Sequence, residues 1–426
     1  MRESSTHRLT STEALPAAPR RRNPSSADCP VWDRLSRPRE SSVIMTQVRL
    51  KRAAILIATT LLMVFLYGRI EYAKEPFSEW DLSSYRAMAN SSPRLNPDVP
   101  WPFAYRLLGP YIIGLLPVPD PLGFYLSTVA VSVPVIVLLY LFLCDVGLSA
   151  NASAITALLL SFNARLFGFL IWDYFQISDF LSLLCVLILF WAMIRGHWVV
   201  FGLALLLGAL TREAPMLLAP VAFFYLLEKK RLATEGRYAS LAVIPGVVAF
   251  LFLRMAVPAP GGSLLNAFTT HAAKVFSAKD CFDLLVDAFV PLSLAPLVFI
   301  ETTVEFFRKR KYAAVFVALV LFSTLFGSNN ERLMAPAFIV FYWLIGVIID
   351  DGILKSRRLM LLVVLCAFIS SFHYEISRFH FMDKRASIAL SLSALALVTG
   401  ACILFRLRRT GIESRGQRAF EKTGPA

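Results

Sequence analysis

Long apolar runs alternate with short polar segments along most of the chain. A helix needs about 20 mostly apolar residues to cross a bilayer. A window of that length places twelve spans near residues 53–68, 121–143, 151–171, 178–194, 198–211, 214–227, 239–256, 284–306, 312–327, 333–349, 358–372 and 386–405. The pattern therefore predicts an all-α, polytopic transmembrane domain over residues 45–410.

Both ends of the chain differ from this pattern. Residues 1–44 are rich in Ser, Pro and Arg and have too little apolar surface to offset the entropy of ordering them, so we predict a disordered cytoplasmic tail. Residues 411–426 are predicted to be a second one. Met45 precedes TQVRLKR and the first apolar run, and is a second candidate for the translation start. That run lacks a clean small-x-small cleavage site, which favours an uncleaved anchor.

The basic residues of the loops predict the topology. Basic residues at 195 and 197, at 228–231 and on through Arg237, and at 308–311, 355–358 and 406–409 fall on one side of the predicted spans. The positive-inside rule assigns that side, with both termini, to the cytoplasm. Residues 69–120 then form a large first extracytoplasmic loop. Its apolar stretch 105–117 is too short to span, and we expect it to lie along the surface or dip into it.

Composition limits the classes of function. Hydrophobic residues make up 57% of the chain and charged residues 17%, with a mean hydropathy of +0.62, which excludes an ordinary soluble domain. The net charge of +14 is spread over clusters between apolar segments, so we expect no nucleic-acid partner. The His and Cys residues lack metal-site spacing, which leaves open only a divalent cation, Mg²⁺ or Mn²⁺, held by carboxylates.

The predicted outer face carries several charged residues close to span ends. Charges at membrane depth cost roughly 2.5–3.5 kcal/mol each, so they usually face a cavity or a partner. These residues are Glu79, Asp81, Arg106, Asp173, Asp179, Arg212, Glu213, Glu331 and Arg332. Their position indicates a polar site at the outer surface.

The order of motifs around these charges resembles that of the GT-C superfamily of integral-membrane glycosyltransferases. An acidic pair lies just after the first span. It is followed by PFAYRLLGP (102–110), WDYFQISDFLSLL (172–184), ALTREAPMLLAP (209–220) and NNERLMAP (329–336). The resemblance extends over roughly residues 50–350. It implies sugar transfer from a polyprenyl-phosphate donor at the outer face of a plasma membrane, with inversion and with a first-loop carboxylate as the base.

The resemblance assigns the base to Asp81, with Glu79 as the alternative, because Trp80 separates the two acids. A positioned carboxylate can take the proton of the acceptor hydroxyl, and arginine can stabilise the leaving phosphate. The phosphate candidates, in order of preference, are Arg106, Arg212 and Arg332. Candidate substrate or metal contacts are Asp173, Asp179, Glu213, Glu331, Tyr85 and Tyr105. The acceptor is a glycan, lipid or protein, and the few cysteines favour a bacterial plasma (inner) membrane.

Structural and transport interpretations remain open beside this one. Ser78 and Asp81 have the spacing of a helix capping box, and adjacent pairs such as Arg212-Glu213 can neutralise each other. The aromatic residues also fit an interfacial belt. The alternative function is a transporter or flippase of a lipid-linked or anionic solute, for which Arg165 and Arg254, within or near spans, are the supporting residues.

Overall fold

The computed structural model of the protein describes residues 43–74, 77, 80–257, 259, 260, 262, 264–271, 277, 279, 282, 284, 286–327 and 330–422. The predicted tail 1–44 thus lies almost entirely outside the described residues, as does Glu79. Of Glu331, only the backbone is described.

The described residues fold into helices. In chain order these are α1 Val43–Leu66, α2 Leu82–Ser91, α3 Leu108–Gly114, α4 Asp120–Asp145, α5 Ala150–Ser161, α6 Phe169–Trp172, α7 Ile177–Arg195, α8 Trp198–Ala209, α9 Leu218–Glu228, α10 Leu232–Ala256, α11 Leu264–His271, α12 Ala295–Val298, α13 Ile300–Lys309, α14 Lys311–Ser323, α15 Asn330–Met334, α16 Phe338–Asp351, α17 Arg357–Ser370 and α18 Lys384–Lys422. A π-helical turn, Ala164–Gly168, precedes α6. The all-α prediction is confirmed, and in the described part of the chain extended pairing is limited to one isolated bridge between Tyr67 and Ser377.

Five helical stretches are long and apolar enough to cross a membrane: Asp120–Asp145, Ile177–Arg195, Leu232–Ala256, Arg332–Lys355 and Lys384–Arg409. The pair Ala150–Ser161 and Ala164–Trp172, bent by 50°, makes a sixth if it is one span. Shorter apolar helices cover Trp198–Ala209, Ala214–Glu228 and Lys311–Phe326. The predicted count of twelve spans is therefore not confirmed by helix length and composition.

The predicted span 284–306 is wrong as a single helix. From Asp287 onward, the chain forms a 3₁₀ turn at Asp287–Phe289 and then the separate helices α12 and α13. Pro291 and Pro296 lack the N–H that a continuous helix needs. Helix α13 is amphipathic, with Phe306 buried and Val304 exposed. This segment does not form one continuous span.

Two helices form the centre of the molecule. The apolar windows of α7 and of Arg332–Lys355 are 72% and 83% buried, whereas those of α10 and α18 are 22% buried. The exposed faces of α10 and α18 carry large apolar side chains, which suits contact with lipid. Helix α18 also continues to Lys422, where the sequence predicted a tail without regular structure.

Local sequence sets the end of α7, one of the two central helices. Helix α7 ends at Arg195, and Gly196 adopts a left-handed conformation with φ of 70°. The N–H groups of Gly196 and His197 donate to the carbonyls of Met193 and Ala192. This is the glycine-terminated cap that satisfies carbonyls at a helix C-terminus. The other end of α7 begins at Ile177, directly after the bent segment, and it is there that the polar residues collect.

The first loop is attached to that end of the helices by backbone hydrogen bonds. The N–H of Ile70 donates to the carbonyl of Trp172 at 3.0 Å, and the N–H of Leu108 donates to that of Leu210 at 2.9 Å. Within the loop, α2 and α3 approach closely at Gly114, where an added Cβ would lie 2.0 Å from the carbonyl oxygen of Ala89. The described parts of the loop are thus bonded to the ends of α6 and α8.

Candidate active site

Arg332 joins three segments of the chain. Its Nε donates to Oδ2 of Asp179 at 3.0 Å, and its Nη2 donates to Oε1 of Gln176 at 2.6 Å. Its Nη1 lies 3.4 Å from Oδ2 of Asp81. Helix α15, which carries Arg332, therefore holds the first loop and the start of α7 together through one guanidinium.

Asp179 is the buried anion of this cluster. Its side chain is 3% exposed, and its second oxygen, Oδ1, accepts a hydrogen bond from Nη1 of Arg212 at 2.5 Å. Both oxygens are thus engaged by guanidiniums. Asp179 lies in the first turn of α7, where the helix dipole also favours a negative charge. It supplies a negative charge that both of these buried arginines contact directly.

Asp81 lies at the position before α2 but does not cap it. The residue has φ of −52° and ψ of −10°, and its side chain makes no capping hydrogen bond, whereas Ser78, the predicted N-cap, lies outside the described residues. Instead, Oδ2 accepts a hydrogen bond from Nε2 of Gln176 at 2.8 Å as well as facing Arg332. The other oxygen, Oδ1, has no hydrogen bond to the described part of the chain, and the side chain is 25% exposed.

A second ionic group adjoins the first. Glu213 is contacted by Nη2 of Arg254 at 3.1 Å and by Nη2 of Arg106 at 3.7 Å. Burial alone would raise the pKa of Glu213, but the guanidiniums of Arg106, Arg212 and Arg254 lower it. The adjacent pair Arg212-Glu213 therefore does not neutralise itself, since each residue binds partners from elsewhere in the chain.

Arg106 is buried between the two groups. Its Nη1 donates to the hydroxyl of Tyr85 at 3.2 Å, and its Nε is buried without a hydrogen-bond partner. Burial alone would lower the pKa of Arg106, but Tyr85 and Glu213 raise it, so the residue stays charged. The guanidinium of Arg254 lies 4.8 Å from the ring centroid of Tyr105, which places that predicted residue at the edge of the same cluster.

Asp173 forms a separate buried pair with Tyr72, whose hydroxyl donates to Oδ1 of Asp173. Asp173 is 1% exposed, and its Oδ2 has no hydrogen-bond partner. Burial raises the pKa of Asp173 to about 6, although Tyr72 and Arg332 act in the opposite direction. Burial therefore moves the titration of Asp173 toward neutral pH.

The structure brings together most of the residues that the sequence singled out. Asp81, Asp179, Arg212 and Arg332 form one connected group, and Arg106, Glu213, Tyr85 and Tyr105 line its edge. Sequence reasoning missed Gln176 and Tyr72. A signal for Gln176 was present, because it precedes Asp179 by three residues and so lies on the same side of the start of α7.

Arg165 and Arg254, which supported the transport alternative, both have acidic partners. Arg165 lies 3.1 Å from Asp287. Arg254, in the last turn of α10, pairs with Glu213. The described residues contain no group of three or more His, Cys, Asp and Glu side chains arranged to hold a metal ion. The acids of the site contact guanidiniums, amides and a phenol.

The fold and the site thus define an all-α membrane protein with an ionic cluster at one end of its central helices. Comparisons with protein-family models and with curated proteins find no match. Among solved structures, the chain is similar to ArnT from Cupriavidus metallidurans bound to undecaprenyl phosphate, with a TM-score of 0.50 and 15% identity over 86% of this chain and 73% of ArnT. For apo ArnT the TM-score is 0.51, with 14% identity over 87% of this chain and 73% of ArnT.

At this level of identity, the likeness concerns the fold. ArnT has the GT-C fold, so the similarity confirms the GT-C-like architecture that the order of motifs predicts. It extends over most of this chain, 86% of it in one structure and 87% in the other.

Proposed function

We propose that this protein is a membrane glycosyltransferase that moves a sugar from a polyprenyl-phosphate donor to an acceptor hydroxyl at the extracytoplasmic face. The observation that carries the proposal is the state of Asp81. One of its carboxylate oxygens is held by Gln176 and Arg332, and the other is free of hydrogen bonds in the described part of the chain. The similarity to a structure that binds undecaprenyl phosphate supports the same donor class.

Asp81 acts as the general base. The acceptor oxygen attacks the anomeric carbon of the donor sugar while its proton passes to Oδ1 of Asp81. The bond between the anomeric carbon and the phosphate oxygen breaks, and the polyprenyl phosphate leaves with the bonding electrons. This displacement inverts the anomeric centre. A positioned base contributes roughly 10²–10⁴-fold to such a step.

The neighbouring acids are less suited to this role. Both oxygens of Asp179 accept from guanidiniums, and its side chain is buried. Asp173 is buried against Tyr72 and has a raised pKa. Asp81 is more exposed than either residue, and a substrate hydroxyl can reach it. We therefore assign Asp179 to charge balance and Asp81 to proton transfer.

Arg212 is the favoured ligand of the leaving phosphate. Its side chain is 12% exposed, and in the described part of the chain it donates only through Nη1, to Asp179, so further donors remain for an anion. Arg106 is the second candidate, because its buried Nε lacks an acceptor. Arg332 already binds Asp179, Gln176 and Asp81. We therefore propose Arg212 before Arg106, the reverse of the order inferred from sequence.

The remaining assignments follow from the same scheme. We propose a multi-pass protein of a bacterial plasma membrane, with its donor in the outer leaflet and a glycan, lipid or protein as acceptor. The residues that supported transport, Arg165 and Arg254, are paired with acids, so no observation favours a flippase over a transferase.

Sugar transfer by the purified protein tests the proposal. Wild type, Asp81→Asn and Glu79→Gln are assayed in nanodiscs with undecaprenyl-phosphate hexoses and pentoses and a panel of acceptors. We expect Asp81→Asn to lower kcat by roughly 10²–10⁴-fold at a similar melting temperature. The matched control is Asp98→Asn, an exposed acid of the same loop, which should retain wild-type activity.

Two results would count against this assignment. Full activity in Asp81→Asn together with loss in Glu79→Gln would move the base to Glu79. Absence of transfer by the wild type with every donor would leave lipid-linked solute transport as the function to be measured next.

A further inference from the structure

We infer that Gln176 is a positioning residue that keeps the carboxylate of Asp81 available as a base by restraining Arg332. The inference rests on the proposed transferase function. Gln176 carries no charge, is 1% exposed and lies 95 residues from Asp81 in the sequence, with its side chain between the base and the arginine.

The two ends of the Gln176 amide have different partners. Nε2 donates to Oδ2 of Asp81 at 2.8 Å, and Oε1 accepts from Nη2 of Arg332 at 2.6 Å. A carboxylate can only accept hydrogen bonds and a guanidinium can only donate them, so the reverse orientation of the amide would lose both contacts. The amide is therefore fixed in one orientation by its neighbours.

The backbone holds Gln176 in place. Its N–H donates to the carbonyl of Asp173 at 2.9 Å, and its own carbonyl accepts from the N–H of Asp179 at 2.9 Å. Gln176 occupies the position before the first residue of α7, yet its side chain makes no capping hydrogen bond. The amide is thus directed to the ionic cluster rather than to the helix end.

Gln176 and Asp179 restrain Arg332 from two sides. With Nη2 on Gln176 and Nε on Asp179, the guanidinium reaches Asp81 only through Nη1, at 3.4 Å. Without the amide, Arg332 could rotate and form a bidentate pair with Asp81, the strong geometry of arginine and carboxylate. Such a pair would occupy both carboxylate oxygens. Gln176 therefore keeps Oδ1 free for the acceptor proton.

Two substitutions of Gln176 test this role through kinetics. Gln176→Leu removes both hydrogen bonds at similar size, and we expect kcat to fall by up to about 100-fold with little change in the donor KM, as for a misplaced catalytic group. Gln176→Glu keeps an acceptor for Arg332 but places a second carboxylate beside Asp81. Like charges raise a carboxyl pKa, so the acid limb of the kcat/KM profile should move up by about one pH unit or more.

The groups around Asp81 bear on that pH profile. Arg332 contacts it directly, and Asp173, Tyr72 and Tyr85 interact with it at longer range. The side chain at position 176 also contacts Arg332 and Asp173, so a shift of the acid limb reports the substitution together with its effect on these two contacts. Ser178→Ala is the matched control. Ser178 is a buried neighbour on the same turn whose hydroxyl has no hydrogen-bond partner, and its replacement should leave kcat and the profile unchanged.

A measurement independent of activity accompanies the kinetics. Asp81→Ala removes the acceptor of the Gln176 amide, so if Gln176 binds Asp81, the melting-temperature losses of Gln176→Leu and Asp81→Ala should not add in the double variant, as expected for residues in contact. Wild-type kcat and an unshifted acid limb in both Gln176 variants would overturn the inference. If wild type transfers no sugar, the proposed function fails. The melting temperatures still test the Gln176 bridge in that case: additive losses would reject it, and non-additive losses would support it.

Discussion

Replacing Asp179 by Asn should reveal how the buried ionic cluster contributes to stability. The carboxylate is 3% exposed and accepts from Arg212 and Arg332, whose side chains are 12% and 16% exposed. The substitution removes the negative charge and keeps the shape. Two guanidiniums are then left close together with reduced compensation, in surroundings that exclude most water.

The structure sets the expected magnitude. Removing one partner of a buried ion pair costs about 3–5 kcal/mol. Arg332 retains Gln176 and Asp81, and the oxygen of Asn still accepts one hydrogen bond, so we expect the lower end, about 3 kcal/mol. For a chain of this size that corresponds to a fall in melting temperature on the order of 5 °C.

Thermal unfolding in detergent, followed by intrinsic fluorescence, measures the effect. Asp98→Asn is the control, because it removes an exposed carboxylate from the same side of the protein. The double variant Asp179→Asn, Arg212→Gln should lose less than the sum of the single losses, since it removes a cation along with its anion. A melting temperature equal to that of Asp98→Asn, or strictly additive losses, would refute the view that Asp179 balances these arginines.

Two further predictions concern burial and close packing. Burial raises the pKa of Asp173 from 3.8 to about 6, so ionising it disfavours the folded state, and stability should fall as pH rises from about 4 to above 6. Asp173→Asn should lose that dependence, and parallel melting curves for both proteins across this range would contradict it. Gly114→Ala places a Cβ 2.0 Å from the carbonyl oxygen of Ala89, and we expect a loss of about 1–3 kcal/mol. In Gly400→Ala the new Cβ meets nothing within 4 Å, so thermal unfolding should show no loss there.

Hydropathy predicted the long apolar helices well and the segment 284–306 poorly. The predicted span 121–143 corresponds to Asp120–Asp145, and 178–194 corresponds to Ile177–Arg195, because each is a long, strongly apolar window. The predicted span 284–306 instead breaks into short helices. A hydropathy sum weighs side chains and does not register the missing proline N–H groups that end a helix.

The residues of the site were easier to predict than their pairing. Charges near span ends are costly, so acids and arginines of the outer loops stood out from the sequence. Which acid binds which arginine depends on the tertiary fold, since Asp179 and Arg332 are 153 residues apart. The adjacent positions of Arg212 and Glu213 suggested that these two residues pair, whereas Glu213 binds Arg106 and Arg254. Gln176 escaped notice because it is neutral.

The position of Arg332 has a consequence for biosynthesis. The chain is made from its N-terminus, so Asp81, Gln176 and Asp179 are all synthesised before the arginine that connects them, and α15 follows Asp81 by about 250 residues. A nascent chain that stops short of α15 holds the acids but lacks their common partner. The ionic cluster is therefore completed only after α1 to α14 have been synthesised, with α16, α17 and α18 still to follow.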